Sequence, residues 1–139
     1  MNSGYLLDTH ILIWLLDDDT RLNENVREDI DYFQNIYCIS VETLREIVIL
    51  QSLKKISFTP TLDKIITDLQ KRQIGILPIE TKDIKALEKL PTLTLNGKKH
   101  EDPFDRLLIS QSIANQHTII SSDSKFPFYK NYGLKLLVN

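Results

Sequence analysis

The sequence predicts an α/β fold: a single-domain, three-layer α/β/α sandwich around a largely parallel five-stranded sheet. Two observations carry that expectation. Short apolar runs alternate along the chain with longer stretches whose apolar residues recur at helical spacing. The 139 residues, 42% hydrophobic and 26% charged, suffice for one core and are ordinary for a globular chain, with no repeats, low-complexity segments or linkers.

Tyr5-Leu6-Leu7 reads as a buried strand ending at Asp8. Asp8-Thr9-His10 breaks the apolar run and offers capping oxygens, so Ile11 to Leu16 reads as a buried helix, closed by the acidic loop Asp17-Asp18-Asp19. Leu22, Val26, Ile30 and Phe33 mark an amphipathic second helix. Ile36-Tyr37-Cys38-Ile39 is a second strand. Ser40 then caps a helix carrying Val41, Leu44, Ile47, Val48 and Leu50, within which Glu46 stands directly before an uncharged run.

Thr59-Pro60 opens the next helix, with Leu62, Ile65, Ile66 and Leu69 on one face. Ile76-Leu77-Pro78-Ile79 is a strand that its proline confines to a sheet edge. Thr81 caps the helix of Ile84 and Leu87, which Pro91 closes. Asn96-Gly97, inside a polar connection, fits a hairpin turn or a plain loop. Asp102 can cap the following apolar helix, Pro103 fits its first turn, and Asp105 falls at its third position. Thr118 to Ser121 is a fourth strand, followed by Ser122-Asp123, and Leu134 to Val138 a fifth.

Composition narrows the function. The formal charge of -2 and pI near 5.9 argue mildly against binding nucleic acid by bulk charge alone. Acids that bind a metal would reverse the sign of what remains. A single cysteine, Cys38, excludes a disulfide within the chain and reads as a small buried hydrophobe suited to a reduced cytoplasm. No targeting segment or membrane-spanning apolar run is visible, so a cytoplasmic protein without membrane attachment is expected.

The acids carry the argument about chemistry. Asp8 ends the first strand, Glu46 lies in the helix after the second, Asp123 follows the fourth, and Asp105 opens the helix leading into that fourth strand. In a parallel sheet these positions share one edge, where ligands gather. Each acid alone has an ordinary explanation, and a helix cap accounts fully for Asp102. Together they would repel one another and hold raised pKa values unless a cation neutralised them. Oxygen donors without paired cysteines or a histidine motif suit Mg²⁺ or Mn²⁺ rather than Zn²⁺. Such a metal supports hydrolysis of a phosphodiester. Lys98, Lys99, His100 and Arg106, near Asp105 in sequence, are candidates to hold substrate phosphates, with ordinary surface charge as the equal alternative.

At these residues the sequence resembles the PIN-domain ribonucleases, and among them the VapC-like toxins of bacterial type II toxin–antitoxin pairs. Leu6 to Leu15 is similar to the family's opening motif, Ser40 to Glu46 to its second, Asp102 to Ile109 to its third, and Ser121-Ser122-Asp123 stands where the family has Thr-x-Asp. The first and third matches are specific, and the four come in family order over nearly the whole chain. The resemblance implies a PIN-like fold and a metal-dependent endoribonuclease. It makes Asp8 and Asp105 the principal metal ligands and has Glu46 and Asp123 complete the cluster. Ser121 would orient a ligand or water, and Asp102 would cap the helix and assist from outside. It also implies an RNA substrate, a homodimer and inhibition by a cognate antitoxin.

Three positions depart from the family pattern: Leu50 replaces a frequent lysine, Ser110 an alanine, and Ser121 a threonine. None removes an acid. The competing expectation is a non-catalytic PIN-fold module that binds RNA or protein; it predicts loss of an acid, and all four remain. A phosphoacceptor receiver domain needs an aspartate after the third strand and a lysine after the last, where Pro78-Ile79-Glu80 and Val138-Asn139 stand. A metal-independent ribonuclease using His10 and His100 is a further alternative, which EDTA would not inhibit.

Overall fold

The computed structural model describes residues 4–139. A five-stranded sheet forms its middle, in the order β3-β2-β1-β6-β7, with every neighbouring pair parallel. β1 (Tyr5–Leu7) leads into α1 (Thr9–Leu16) and α2 (Glu24–Asp31); β2 (Tyr37–Ser40) leads into α3 (Val41–Ser52) and α4 (Leu62–Lys71). β3 (Gly75–Leu77), α5 (Thr81–Lys89) and a small hairpin of β4 (Thr94–Leu95) and β5 (Lys98–Lys99) follow. α6 (Pro103–Asn115), β6 (Thr118–Ser121), a 3-10 helix over Phe126–Tyr132 and β7 (Lys135–Val138) complete the chain.

The period-two alternation of a strand explains the three layers. Leu7, Ile39 and Ile120 point into one apolar cluster with Ile11, Leu12, Leu15, Ile47 and Ile65. Their sequence neighbours Leu6, Cys38 and Ile119 point into a second cluster with Leu108, Ile109, Phe126 and Tyr129. Helices α1 to α4 thus supply the core on one face of the sheet, and α6 with the 3-10 helix supplies the other. Cys38 is buried, its thiol donates to the Tyr5 carbonyl, and burial pushes it up to about 12. No helix among the described residues is long and apolar enough to cross a membrane.

Several local expectations shift. The helix placed at Thr59-Pro60 starts two residues later, because Thr61 is the residue whose hydroxyl accepts from a backbone N–H, that of Lys64. Glu80 rather than Thr81 caps α5, in a capping box where the Glu80 backbone N–H donates to Asp83 at 2.8 Å. Phe33 lies beyond the end of α2 with φ of +54° and is exposed, so it does not continue the Val26–Ile30 face. Asn96-Gly97 resolves as a hairpin turn, both residues having positive φ. β3 lies at the sheet edge and stops before Pro78. The 3-10 helix has no antecedent among the expected elements.

Gly4 enters β1 at φ of +82°, and a Cβ there would lie 2.6 Å from the Ile36 carbonyl oxygen. Both the conformation and the space require glycine. Gly4→Ala is expected to cost about 1–3 kcal/mol, read as a lower urea midpoint; an unchanged midpoint would mean that the β1 entry relaxes freely.

Candidate active site

Helix starts and strand ends meet at the carboxyl edge of the sheet, and this edge carries the acids. Asp8 follows β1 and caps α1: its Oδ1 accepts from the Thr9 backbone N–H at 2.8 Å. Its Oδ2 accepts from the Ser121 hydroxyl at 2.7 Å, across the β1–β6 pairing. The same Ser121 oxygen accepts from the Asp123 backbone N–H at 3.0 Å, so one hydroxyl ties Asp8 to the turn that carries Asp123. Asp123 is itself paired with Lys125 at 3.2 Å.

Glu46 comes from α3, whose start is capped by Ser40 at the end of β2. Its Oε1 accepts from the Thr9 hydroxyl at 2.6 Å. Thr9 therefore holds Glu46 beside Asp8. Asp102 caps α6 by accepting from the Phe104 and Asp105 backbone N–H groups, at 2.9 and 3.0 Å. This places Asp105 in the first turn of α6, facing the other acids.

The electrostatics record that convergence. Burial, then the charges of Asp102, Asp8, Asp123 and Glu46, push Asp105 up to about 8. Burial raises Asp8 despite its two hydrogen bonds. Glu46 is raised by burial and, to a lesser degree, by Asp8 and Asp102. Burial is the first cause of each shift, and the neighbouring carboxylates add to it.

His100 stands elsewhere than expected. It is buried, with Nδ1 2.7 Å from the Tyr129 hydroxyl and Nε2 3.1 Å from Asp105 Oδ2. Burial and Lys125 lower its pKa, which disfavours the imidazolium that an ion pair with Asp105 would need. With Asp105 ionised, a neutral His100 donates from Nε2 to that carboxylate and accepts the Tyr129 O–H at Nδ1. A phosphate-holding role for His100 is thereby corrected: both ring nitrogens are used inside the protein.

Arg106 is also engaged inside the protein. Its guanidinium donates to the Leu90 and Pro91 carbonyls, each at 3.0 Å, and so closes the end of α5. Lys98 and Lys99 are exposed on β5. With Asp102 and Lys125 they line a groove of about 540 Å³ beside the acids.

Thr9 and Tyr129 were not among the candidate residues. Thr9 sits between Asp8 and His10, and its contact with Glu46 spans 37 positions. Tyr129 lies in the 3-10 helix, where no periodicity marks it. Among the described residues, no group of three or more His, Cys, Asp or Glu side chains already stands close enough to hold a metal. The donor set nonetheless fits a hard divalent cation, being all oxygen, with Asp8 buried and Glu46, Asp105 and Asp123 half-buried.

The comparisons with known proteins agree with this architecture. The sequence matches the PIN domain family over residues 5–132, and the chain belongs to that family. Among curated proteins none matches by sequence. Among solved structures, the chain is similar to one in VapBC2 from Rickettsia felis bound to a DNA fragment from its promoter. That likeness has TM-score 0.68 and 20% identity, covering 97% of this chain and 98% of the other. A chain of DNA-bound VapBC from Salmonella typhimurium matches with TM-score 0.67 and 14% identity, over 99% and 98% of the two chains. One from VapBC-1 of nontypeable Haemophilus influenzae matches with TM-score 0.62 and 13% identity, over 97% of each.

Proposed function

We propose that this chain is a metal-dependent endoribonuclease, the VapC-like toxin of a toxin–antitoxin pair. The observation that carries the reading is the gathering of Asp8, Glu46, Asp105 and Asp123 from four separate stretches of chain at one sheet edge, with Asp105 pushed up to about 8. Membership of the PIN family and the likeness to VapBC chains support it.

In this reading the four acids hold Mg²⁺ or Mn²⁺, Asp8 and Asp105 as principal ligands. When bound, the metal lowers the pKa of water and stabilises negative charge on the phosphate. The chain does the positioning. Ser121 fixes Asp8, Thr9 fixes Glu46, Asp102 caps the helix that presents Asp105, and His100 orients the Asp105 carboxylate. Lys98 and Lys99, with Lys125 across the groove, hold backbone phosphates. Water adds to phosphorus as the bond to one ribose oxygen breaks, leaving two RNA fragments.

The partners proposed are an RNA substrate, a second copy of the chain and an inhibitory antitoxin, all in the cytoplasm, where the thiol of Cys38 stays reduced. The test is incubation of the purified chain, free of partner, with total cellular RNA. Discrete fragments are expected with Mg²⁺ or Mn²⁺ and none with EDTA; cleavage that survives EDTA would sink the metal mechanism. No cleavage by the folded chain with either metal would favour the binding-module alternative.

The hydroxyl of Tyr129 makes a narrower prediction. Tyr129→Phe keeps the buried ring but leaves His100 without its Nδ1 partner. Loss of such an outer partner typically costs about 10–100-fold in metal affinity or activity. A tenfold or greater rise in the Mg²⁺ concentration needed for half-maximal cleavage is expected, with an unchanged circular dichroism spectrum. An unshifted metal requirement would mean that His100 holds Asp105 without Tyr129.

A further inference from the structure

A second groove, of about 270 Å³, runs along α1 from His10 and is lined by His10, Trp14, Asp17, Asp19, Arg21 and Lys55 among others. It shares no lining residue with the lysine groove by β5. His10 lies in the first turn of α1, two positions from Asp8, the residue that caps that helix. The groove therefore adjoins the acid cluster.

Its walls differ in kind from those of the lysine groove. The His10 and Trp14 rings lie 6.1 Å apart at an interplanar angle of 31°. The Arg21 guanidinium sits over the Trp14 ring at 5.0 Å. Arg21 is held there by Asp19, which accepts from its Nη2 at 2.7 Å and from its Nε at 3.1 and 3.2 Å. The charge of Arg21 is thus already answered within the chain, and Asp17 adds a negative one. Lys55 is the other cation of the lining, set against Asp17; the wall of His10, Trp14 and Arg21 itself offers a flat heterocycle rings and a planar cation. Single-stranded RNA is recognised on surfaces of that composition, by stacking on aromatic side chains and guanidinium planes.

We propose that the His10–Trp14–Arg21 groove is a base-stacking subsite that takes one unpaired base of an RNA strand whose backbone crosses the acid cluster. This deepens the nuclease reading and rests on it for the identity of the strand. It assigns the substrate to unpaired RNA, because a base inside a duplex presents no free face. Phosphates and bases are then divided between the two grooves.

Trp14 is the only tryptophan of the chain, so its emission reports on this groove directly. With EDTA present, a single-stranded hexaribonucleotide of mixed sequence is expected to quench Trp14. A ribose-phosphate chain of the same length lacking bases is not, nor is a blunt RNA duplex. His10→Ala, an exposed position, weakens the hexamer's apparent affinity on the order of tenfold, the scale of one lost stack. In Mg²⁺ it raises KM for RNA cleavage by a similar factor with kcat little changed. Arg21→Ala serves as the second variant and acts in the same direction.

Equal quenching by the base-free chain, or none by the hexamer, overturns the proposal. Cleavage of RNA without quenching leaves the nuclease reading intact and removes the base subsite. Quenching in a chain that cleaves no RNA with either metal keeps the subsite and removes the nuclease reading.

Discussion

Asp105→Asn is expected to lower RNA cleavage by at least about a hundredfold, the smaller end of what loss of one electrostatic stabiliser costs an enzyme. Its effect on the fold should be the reverse. Asp105 is the acid on which the charges of Asp102, Asp8, Asp123 and Glu46 all act unfavourably, on top of its burial. An amide of nearly the same shape removes that repulsion and can still hydrogen-bond to His100. In EDTA at mildly alkaline pH the variant is therefore expected to melt above the wild type. A difference of about 3 °C or more is the signature of roughly 1 kcal/mol in a chain of this size. The paired readout separates two explanations of lost activity. A variant that is inactive and destabilised would make Asp105 a structural residue. One that is inactive and stabilised identifies it as a group kept for chemistry at the expense of the fold. Retained cleavage would remove Asp105 from the mechanism altogether.

The second large effect is the pH dependence of stability without metal. Asp105 titrates near 8 in the folded chain against an ordinary carboxyl value of 3.8, and Asp8 and Glu46 are displaced in the same direction. A raised folded pKa means that the native state binds protons which the unfolded chain has released. The stabilisation is fully present below the unfolded value and is lost as pH rises through the folded one. In EDTA, the melting temperature should fall as pH is taken from about 5 to about 8.5. Asp19, held at about 2 by Arg21, acts in the opposite sense below that range, and His100, lowered from 6.5 by burial, acts in the opposite sense within its acid half, so the fall is carried by the span from about 6.5 to 8.5. Mg²⁺ or Mn²⁺ should restore the loss, most strongly at the alkaline end, where the carboxylates are ionised and unprotonated ligands bind best. A flat or rising profile in EDTA, or one indifferent to the cation, would show that the acids are too far apart or too well solvated to share an ion.

Much of the architecture was legible because it rests on local rules. Apolar triplets and quartets such as Tyr5–Leu7 and Thr118–Ser121 are strands bounded by polar residues, and Ser40 and Asp102 cap their helices through hydrogen bonds spanning two or three positions. The departures from those rules are local too. Thr81 was a reasonable cap by residue type, but Glu80 precedes it and pairs reciprocally with Asp83, which also accepts from Asn115 at 3.0 Å. Phe33 has the right spacing for the α2 face, yet the chain turns out of the helix before reaching it.

Local pattern marks which residues end strands and open helices, and hence that Asp8, Glu46, Asp105 and Asp123 could share one edge of a parallel sheet. Those features follow from caps, periodicity and strand length, whose energies act over a few residues. What each neighbouring side chain does there depends on packing across the fold. His100 and Arg106 look alike in sequence, as cations beside Asp105. One is buried between Asp105 and Tyr129, 29 positions away, and the other is used by the Leu90 and Pro91 carbonyls. Lys98 and Lys99, in the same run, remain exposed. A buried polar group takes whichever partner the fold brings to it, because leaving it unpaired costs more than the hydrogen bond gains in water. That partner is set by long-range packing, which no local pattern encodes.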